Sequence, residues 1–134
     1  MAKRILVVDD EHDIRFALSI FLKSKGYVVD LAEDGRVALH KLAESKYDVM
    51  LLDMIMPNLD GHAVLKAMPA EVAERMPVVV LTAKSTGADV MKGYGQGATY
   101  YVPKPFENAR VHAIIRYLTN EATPAERRAL EKLL

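Results

Sequence analysis

The chain has 134 residues, in which 18 Lys and Arg residues balance 18 Asp and Glu residues. A neutral chain argues against nucleic-acid binding that depends mainly on phosphate neutralisation, and the lack of cysteine excludes disulfides, thiolate metal sites and cysteine nucleophiles. The N-terminal apolar run, Ile5–Val8, is too short for a signal peptide, and no run approaches the roughly 18 apolar residues of a membrane span. We therefore expect one soluble domain in a reducing, cytoplasmic compartment.

Five short apolar runs are typical of buried strands. They are rich in β-branched residues and lack the polar–apolar alternation of a strand with one face in water. Such runs suit a parallel sheet that is covered on both faces. In chain order, they cover Arg4–Val8, Tyr27–Ala32, Val49–Leu52, Val78–Leu81 and Tyr100–Val102.

Helical patterns lie between these runs. An apolar stripe at positions 14, 17, 18, 21 and 22 predicts a first helix that ends before Gly26. Three internal glycines predict a short or frayed fourth helix over Gly87–Gly97. Strands that alternate with helices predict an α/β sandwich with right-handed crossovers. The other predicted helices of the domain cover Val37–Ala43, Gly61–Met68 and Val111–Leu118.

Polar residues follow the carboxyl ends of the predicted strands. Asp9 and Asp10 follow the first strand and Asp53 follows the third. Thr82 ends the fourth strand, and Lys104 lies just beyond the fifth. Ligands of open α/β sheets bind at this edge, so we expect three carboxylates, a hydroxyl and an ammonium to gather there.

Three clustered carboxylates are electrostatically unfavourable, because two like charges ~4 Å apart repel by roughly 4 kcal/mol at an effective dielectric near 20. A raised pKa, a divalent cation or the ammonium of Lys104 could offset this repulsion. Oxygen ligands without His or Cys select a hard ion, and Mg²⁺ fits best. A carboxylate beside Mg²⁺ and lysine is a reasonable nucleophile toward phosphorus. The residues therefore predict a Mg²⁺-dependent site at which an aspartate accepts a phosphoryl group.

Four segments together resemble the receiver domain of two-component response regulators. They are VVDDE at 7–11, LLDMIMPNLDG at 51–61, LTAK at 81–84 and YYVPKPF at 100–106, and the resemblance covers roughly residues 3–120. It implies a flavodoxin-like, chemotaxis-type fold, in which five parallel strands in the order 2-1-3-4-5 are flanked by five helices. We place the receiver domain at residues 1–120 and a helical tail, or the start of a linker, at 121–134.

The resemblance implies a metal site and an acceptor. Asp53 would be the phosphoacceptor, and it would share Mg²⁺, with Mn²⁺ as an alternative, with Asp9, Asp10 and the backbone carbonyl of Ile55. No other cofactor is expected.

The resemblance also implies a catalytic set and a switch. Thr82 and Lys104 would act with Asp53, with Lys104 on a phosphoryl oxygen and a cis peptide bond between Lys104 and Pro105. Thr82 would move toward the phosphoryl group, and Tyr101 would pack inward with it. This movement would bias a pre-existing equilibrium and change the surface around the fourth helix, fifth strand and fifth helix. For single residues, plain structural roles stay open: Thr82 as a cap, Tyr101 as sheet packing.

The implied partners are signalling proteins. A histidine kinase or histidine phosphotransfer protein would supply the phosphoryl group, and a downstream protein or an output domain absent from this chain would receive the signal. Neither direct nucleic-acid binding nor membrane contact is expected, and the chain would be a monomer or a phosphorylation-linked homodimer. We expect no enzyme activity beyond its own Asp phosphorylation and dephosphorylation.

The alternative class is an aspartyl-nucleophile phosphatase or phosphotransferase. Haloacid-dehalogenase-type enzymes place a D-x-D motif after the first strand, whereas Glu11 stands where its second aspartate would be, and no cap domain is present. A flavin-binding function is disfavoured because no hydroxyl- and glycine-rich loop follows the first strand.

The last residues, 123–134, carry their own helix signal. Thr123 and Glu126 predict a capping box, and Pro124 suits the first turn. This helix could dock on its own domain, pair with a second chain, begin a linker or simply fray.

Overall fold

A computed structural model of the chain describes residues 2–83 and 97–132. Its sheet has five parallel strands in the order β2-β1-β3-β4-β5, which confirms the predicted fold class and strand order. Each strand lies within one residue of its predicted bounds. The strands are Arg4–Val8 (β1), Val28–Ala32 (β2), Val49–Asp53 (β3), Val78–Thr82 (β4) and Tyr100–Pro103 (β5).

Six helices surround the sheet within the described residues. The predicted fourth helix, Gly87–Gly97, lies outside these residues except for Gly97 itself. The helices are His12–Ser24 (α1), Gly35–Glu44 (α2), Gly61–Ala67 (α3), Ala70–Arg75 (α4), Asn108–Leu118 (α5) and Pro124–Glu131 (α6).

Helix α4 was not predicted from the sequence. Met68 is extended and ends α3, and the carbonyl of Pro69 then accepts hydrogen bonds from the backbone amides of Val72 and Ala73. Burial of Val72 anchors this short helix against the sheet. The proline therefore ends one helix, as predicted, and also starts another.

Local signals explain where the longer helices begin and end. The Asp34 side chain caps α2 by accepting from the backbone amide of Val37 at 2.9 Å, and Asp60 caps α3 in the same way. Gly26 follows α1 with a φ of 93°, a conformation that glycine adopts without steric cost.

Two apolar layers cover the two faces of the sheet. In β1, Leu6 and Val8 face the layer formed with α2, α3 and α4, whereas Ile5 and Val7 face the layer formed with α1, α5 and α6. Strands β3 and β4 alternate in the same way, and all of their residues are buried. Burial on both faces explains why these strands read as continuous apolar runs.

Helix α6 docks on its own domain. Leu130 is buried in the layer that contains α1 and α5, and Arg116 of α5 makes two hydrogen bonds to Glu126, at 3.0 and 3.1 Å. The predicted capping box between Thr123 and Glu126 is confirmed. Among the outcomes left open by the sequence, the structure favours docking, while the division at residues 120 and 121 stays a prediction.

The strand register places the site residues at one level. Val8 pairs with Leu52, Asp53 with Leu81, and Thr82 with Pro103, so the residues after β1, β3 and β5 emerge at the same edge. None of the helices in residues 2–83 and 97–132 has the length and apolar character needed to span a bilayer.

Candidate functional site

Three aspartates converge at the carboxyl edge of the sheet, as predicted. Asp9 and Asp53 are buried, with 0% and 3% of their surface exposed, whereas Asp10 faces solvent. Each offers a carboxylate oxygen, and these three oxygens lie within 4.8 Å of one another. Asp10 and Asp53 line a pocket of about 270 Å³, the acid pocket, whose wall also includes Ile55 and Lys104.

Burial places Asp53 in an unusual electrostatic environment. Loss of hydration and the nearby charge of Asp9 raise the pKa of Asp53 to about 6. The backbone amide of Ile55, which donates to its Oδ1 at 3.2 Å, and the ammonium of Lys104 act in the opposite direction. Asp53 therefore keeps a substantial charged fraction at neutral pH, as a nucleophile requires.

Among the residues that the structure describes, Lys104 is the cation that contacts the carboxylates of these acids. Its Nζ lies 2.8 Å from Asp9 Oδ2, 3.4 Å from Asp53 Oδ2 and 3.3 Å from Glu11 Oε1. Burial alone would lower the pKa of Lys104, but the hydrogen bond to Asp9 and the charges of Asp53 and Asp9 outweigh it, so the pKa is raised.

A backbone hydrogen bond holds Lys104 at this edge. The Lys104 amide donates to the carbonyl of Thr82 at 2.9 Å, which extends the pairing of β4 and β5 by one residue. The Lys104–Pro105 peptide bond is cis, as the resemblance implied.

Asp9 is positioned by two residues whose roles were not predicted from the sequence. The backbone amide of Glu11 donates to Asp9 Oδ1 at 2.9 Å, and Arg15 Nη1 donates to the Asp9 carbonyl at 2.7 Å. The available signal was an arginine in the first turns of the helix that follows the acidic pair. An arginine at this position can reach back to the strand end, but its spacing alone does not predict the contact with the Asp9 carbonyl.

The two predicted switch residues occupy different environments. Thr82 ends β4 one position beyond Leu81, the partner of Asp53, and is fully buried. Tyr101 is half-buried and packs against the apolar layer on the α2–α4 side. Their roles in a switch stay predictions.

The acid pocket has the chemistry of a hard-cation site. All three acidic ligand candidates offer oxygen, two of them are buried, and neither His nor Cys lines the pocket in the described residues. Such a donor set can hold a divalent metal ion. The side chain of Ile55 is 52% exposed at the rim, and the role of its carbonyl as a further ligand stays a prediction.

A doubly wound parallel sheet with three aspartates and a lysine at its carboxyl edge defines the class of phosphorylation-linked receiver domains. Agreement with a family profile makes the assignment specific. The profile of the response regulator receiver domain matches residues 5–116, and the chain belongs to this family.

Known relatives agree with this assignment. The chain is 40% identical to the response regulator MprA of Mycolicibacterium vanbaalenii over 124 residues, which cover 92% of this chain and 53% of MprA. It thus spans about half the length of that regulator. The chemotaxis protein CheY4 of Vibrio cholerae superposes with a TM-score of 0.83 at 31% identity, covering 88% of this chain and 99% of CheY4. The BeF₃-activated DrrB receiver domain superposes at 0.79 with 28% identity, covering 90% and 99%.

Proposed function

We propose that this chain is a phosphorylation switch that accepts a phosphoryl group on Asp53 from a histidine kinase or a histidine phosphotransfer protein. One observation carries the proposal: the buried Asp53 carboxylate lies beside the carboxylates of Asp9 and Asp10 and the ammonium of Lys104. Membership of the receiver family supports a signalling function. The identity of the phosphoryl donor and the identity of the metal go beyond family membership and are part of the proposal.

Mg²⁺ is the proposed metal, held by Asp9, Asp10, Asp53 and the Ile55 carbonyl, and it would supply positive charge to the phosphoryl oxygens. A carboxylate oxygen of Asp53 forms the new bond to phosphorus while the bond from phosphorus to the donor imidazole breaks. The imidazole nitrogen keeps the electron pair of that bond. Lys104 pairs with one phosphoryl oxygen and Thr82 donates to another.

The output of the switch is a change in partner binding. Thr82 and Tyr101 would follow the added charge and alter the surface around β5, α5 and the region at 84–96. The partner would be a downstream protein, an output domain beyond this chain or a second copy of it. Because the MprA regulator is about twice as long, a covalently attached output domain is one version of this proposal. The cytoplasmic location and the lack of other enzyme activity also stay predictions.

Acetyl phosphate with Mg²⁺ tests the proposal directly. The wild-type chain should gain one phosphoryl group by intact mass, and Asp53→Asn should gain none. Asp48→Asn is the matched control, because Asp48 precedes β3 at its opposite end and binds the Arg4 amide at 2.8 Å. Labelling that survives in Asp53→Asn would refute the assignment. Multiple turnover on small phosphate esters would instead support the phosphatase alternative.

A further inference from the structure

We infer that Glu11 is a positioning residue for Lys104. The Glu11 carboxylate holds the Lys104 ammonium at the mouth of the acid pocket, and a phosphoryl oxygen replaces that carboxylate when the phosphoryl group binds. This inference rests on the proposed function of Asp53. It adds a residue that tunes how readily the site accepts its phosphoryl group.

The contacts of Lys104 lead to competition for its protons. Lys104 Nζ donates hydrogen bonds to Asp9 and Glu11 and also lies 3.4 Å from the Asp53 carboxylate. A phosphoryl oxygen that approaches Lys104 therefore competes with these three acceptors.

Burial decides which acceptor leaves. Asp9 has no exposed surface and makes the shortest contact, so its release would leave a buried charge unpaired. Asp53 makes the longest contact, at 3.4 Å, but it is also buried and is the residue to which the phosphoryl group would be bonded. The Glu11 side chain is 61% exposed and its contact, at 3.3 Å, is longer than that of Asp9. Water can solvate the Glu11 carboxylate once its contact with Lys104 is broken, so Glu11 is the exchangeable partner.

The position of Glu11 gives this exchange a second effect. Glu11 lines both the acid pocket and an adjoining groove of about 560 Å³, which also contacts Ile14 of α1 and Phe106 before α5. Its negative charge therefore stands at the border between the pocket and the more apolar groove. There the charge of Glu11 repels an incoming anion until the Lys104 ammonium has moved from Glu11 to a phosphoryl oxygen.

A neutral side chain at this position should ease the exchange. In Glu11→Gln the amide competes more weakly for Lys104, while the backbone amide still donates to Asp9 Oδ1. The energy range of partly exposed ion pairs corresponds to a two- to fivefold effect. We expect about two- to fivefold faster phosphorylation by acetyl phosphate, and about two- to fivefold tighter binding of beryllofluoride, a phosphoryl mimic, by ¹⁹F NMR.

Asp13→Asn is the matched control. Asp13 also lies in the first turn of α1 and lines the same groove, but its carboxylate pairs with His12. This variant removes the same charge from the same region without touching the Lys104 contact. Its phosphorylation rate and beryllofluoride affinity should therefore stay close to those of the wild type.

The outcomes separate this inference from the proposed function. Gains in Glu11→Gln that exceed those in Asp13→Asn, with equal unfolding temperatures, support the positioning role. Equal gains in both variants, or a slower Glu11→Gln, overturn it, because long-range charge or a purely structural role then suffices. A wild-type chain that takes no phosphoryl group on Asp53 and binds no beryllofluoride contradicts the proposed function itself.

Discussion

At the scale of single residues, the Asp53 carboxylate is negatively charged although burial and the nearby charge of Asp9 disfavour its ionised form. A rise in its pKa to about 6 means that the folded chain binds more protons than the unfolded chain between about pH 4 and pH 6. The free energy of unfolding therefore falls as pH rises through this window. In the absence of divalent metal, Asp53→Asn should be more stable than the wild type at pH 7.5, by about 1–3 kcal/mol.

Urea unfolding at several pH values checks this prediction. The stability difference between Asp53→Asn and the wild type should be smallest below pH 4 and should reach a plateau above pH 7. Titration of groups that make no contact with Asp53, such as His112, whose pKa burial lowers, occurs in both proteins and cancels in the difference. A difference that does not change with pH would show that Asp53 has an ordinary pKa in the folded chain.

Residue types and strand ends were sufficient to predict most of the site. Asp9, Asp10, Asp53 and Lys104 each follow an apolar run typical of a buried strand, so their convergence follows from parallel pairing. The contact between Glu11 and Lys104 could not be predicted in this way. It depends on side-chain conformations and on the angle at which α1 leaves the sheet, which no local pattern encodes.

At the scale of elements, the turn from β3 into α3 leaves no space for a larger residue. A Cβ atom at Gly61 would lie 2.7 Å from the carbonyl oxygen of Asp53 and would also press on the Sδ atom of Met54. Gly61→Ala should therefore destabilise the chain by about 1–3 kcal/mol. It should also slow phosphorylation by acetyl phosphate, because the backbone that carries the acceptor must shift.

Gly26→Ala separates the two effects of this substitution. Gly26 has a φ of 93° with no atom near its missing Cβ, so alanine there adds backbone strain far from the pocket. Both variants should lose stability in chemical denaturation, and only Gly61→Ala should be phosphorylated more slowly. Equal phosphorylation rates would show that the acceptor turn tolerates the shift.

The tail helix depends on one buried side chain and on exposed polar contacts. Leu130 is 6% exposed in the apolar layer, whereas the Arg116–Glu126 pair faces solvent and contributes little by itself. Leu130→Ala should release α6 from α5 and abolish the hydrogen-exchange protection of residues 127–131. Arg128→Ala, at an exposed position of the same helix, should keep that protection, and its loss in both variants would show that Leu130 does not anchor α6.

Elements with a strong local pattern were predicted and those without one were not. The five strands and the capping box of α6 have signals within a few residues. Helix α4 is six residues long with a single buried position, Val72, too few for a periodic pattern. Docking of α6 is a tertiary contact, and for that reason the sequence left it among several alternatives.

At the scale of the whole molecule, strands β1 and β3 bring acids that are 44 residues apart in sequence into one cluster, so folding itself assembles the candidate metal site. An ion that binds only the folded chain stabilises it, by about 1.4 kcal/mol at a tenfold excess over its Kd. Mg²⁺ should therefore raise the unfolding temperature at pH 7.5 by about 4–7 °C.

Acid should weaken this Mg²⁺ effect, because a proton on Asp53 competes with the metal below a pKa of about 6. Thermal unfolding at pH 7.5 and pH 4.5 should thus show a large and a small shift on addition of Mg²⁺, respectively. Asp10→Asn removes a ligand oxygen from an exposed position and should lose most of the shift at pH 7.5, whereas Asp48→Asn should retain it. If Asp10→Asn and Asp48→Asn responded alike to Mg²⁺, the ion would bind elsewhere on the chain, and the acid pocket would hold Lys104 as its counter-ion instead.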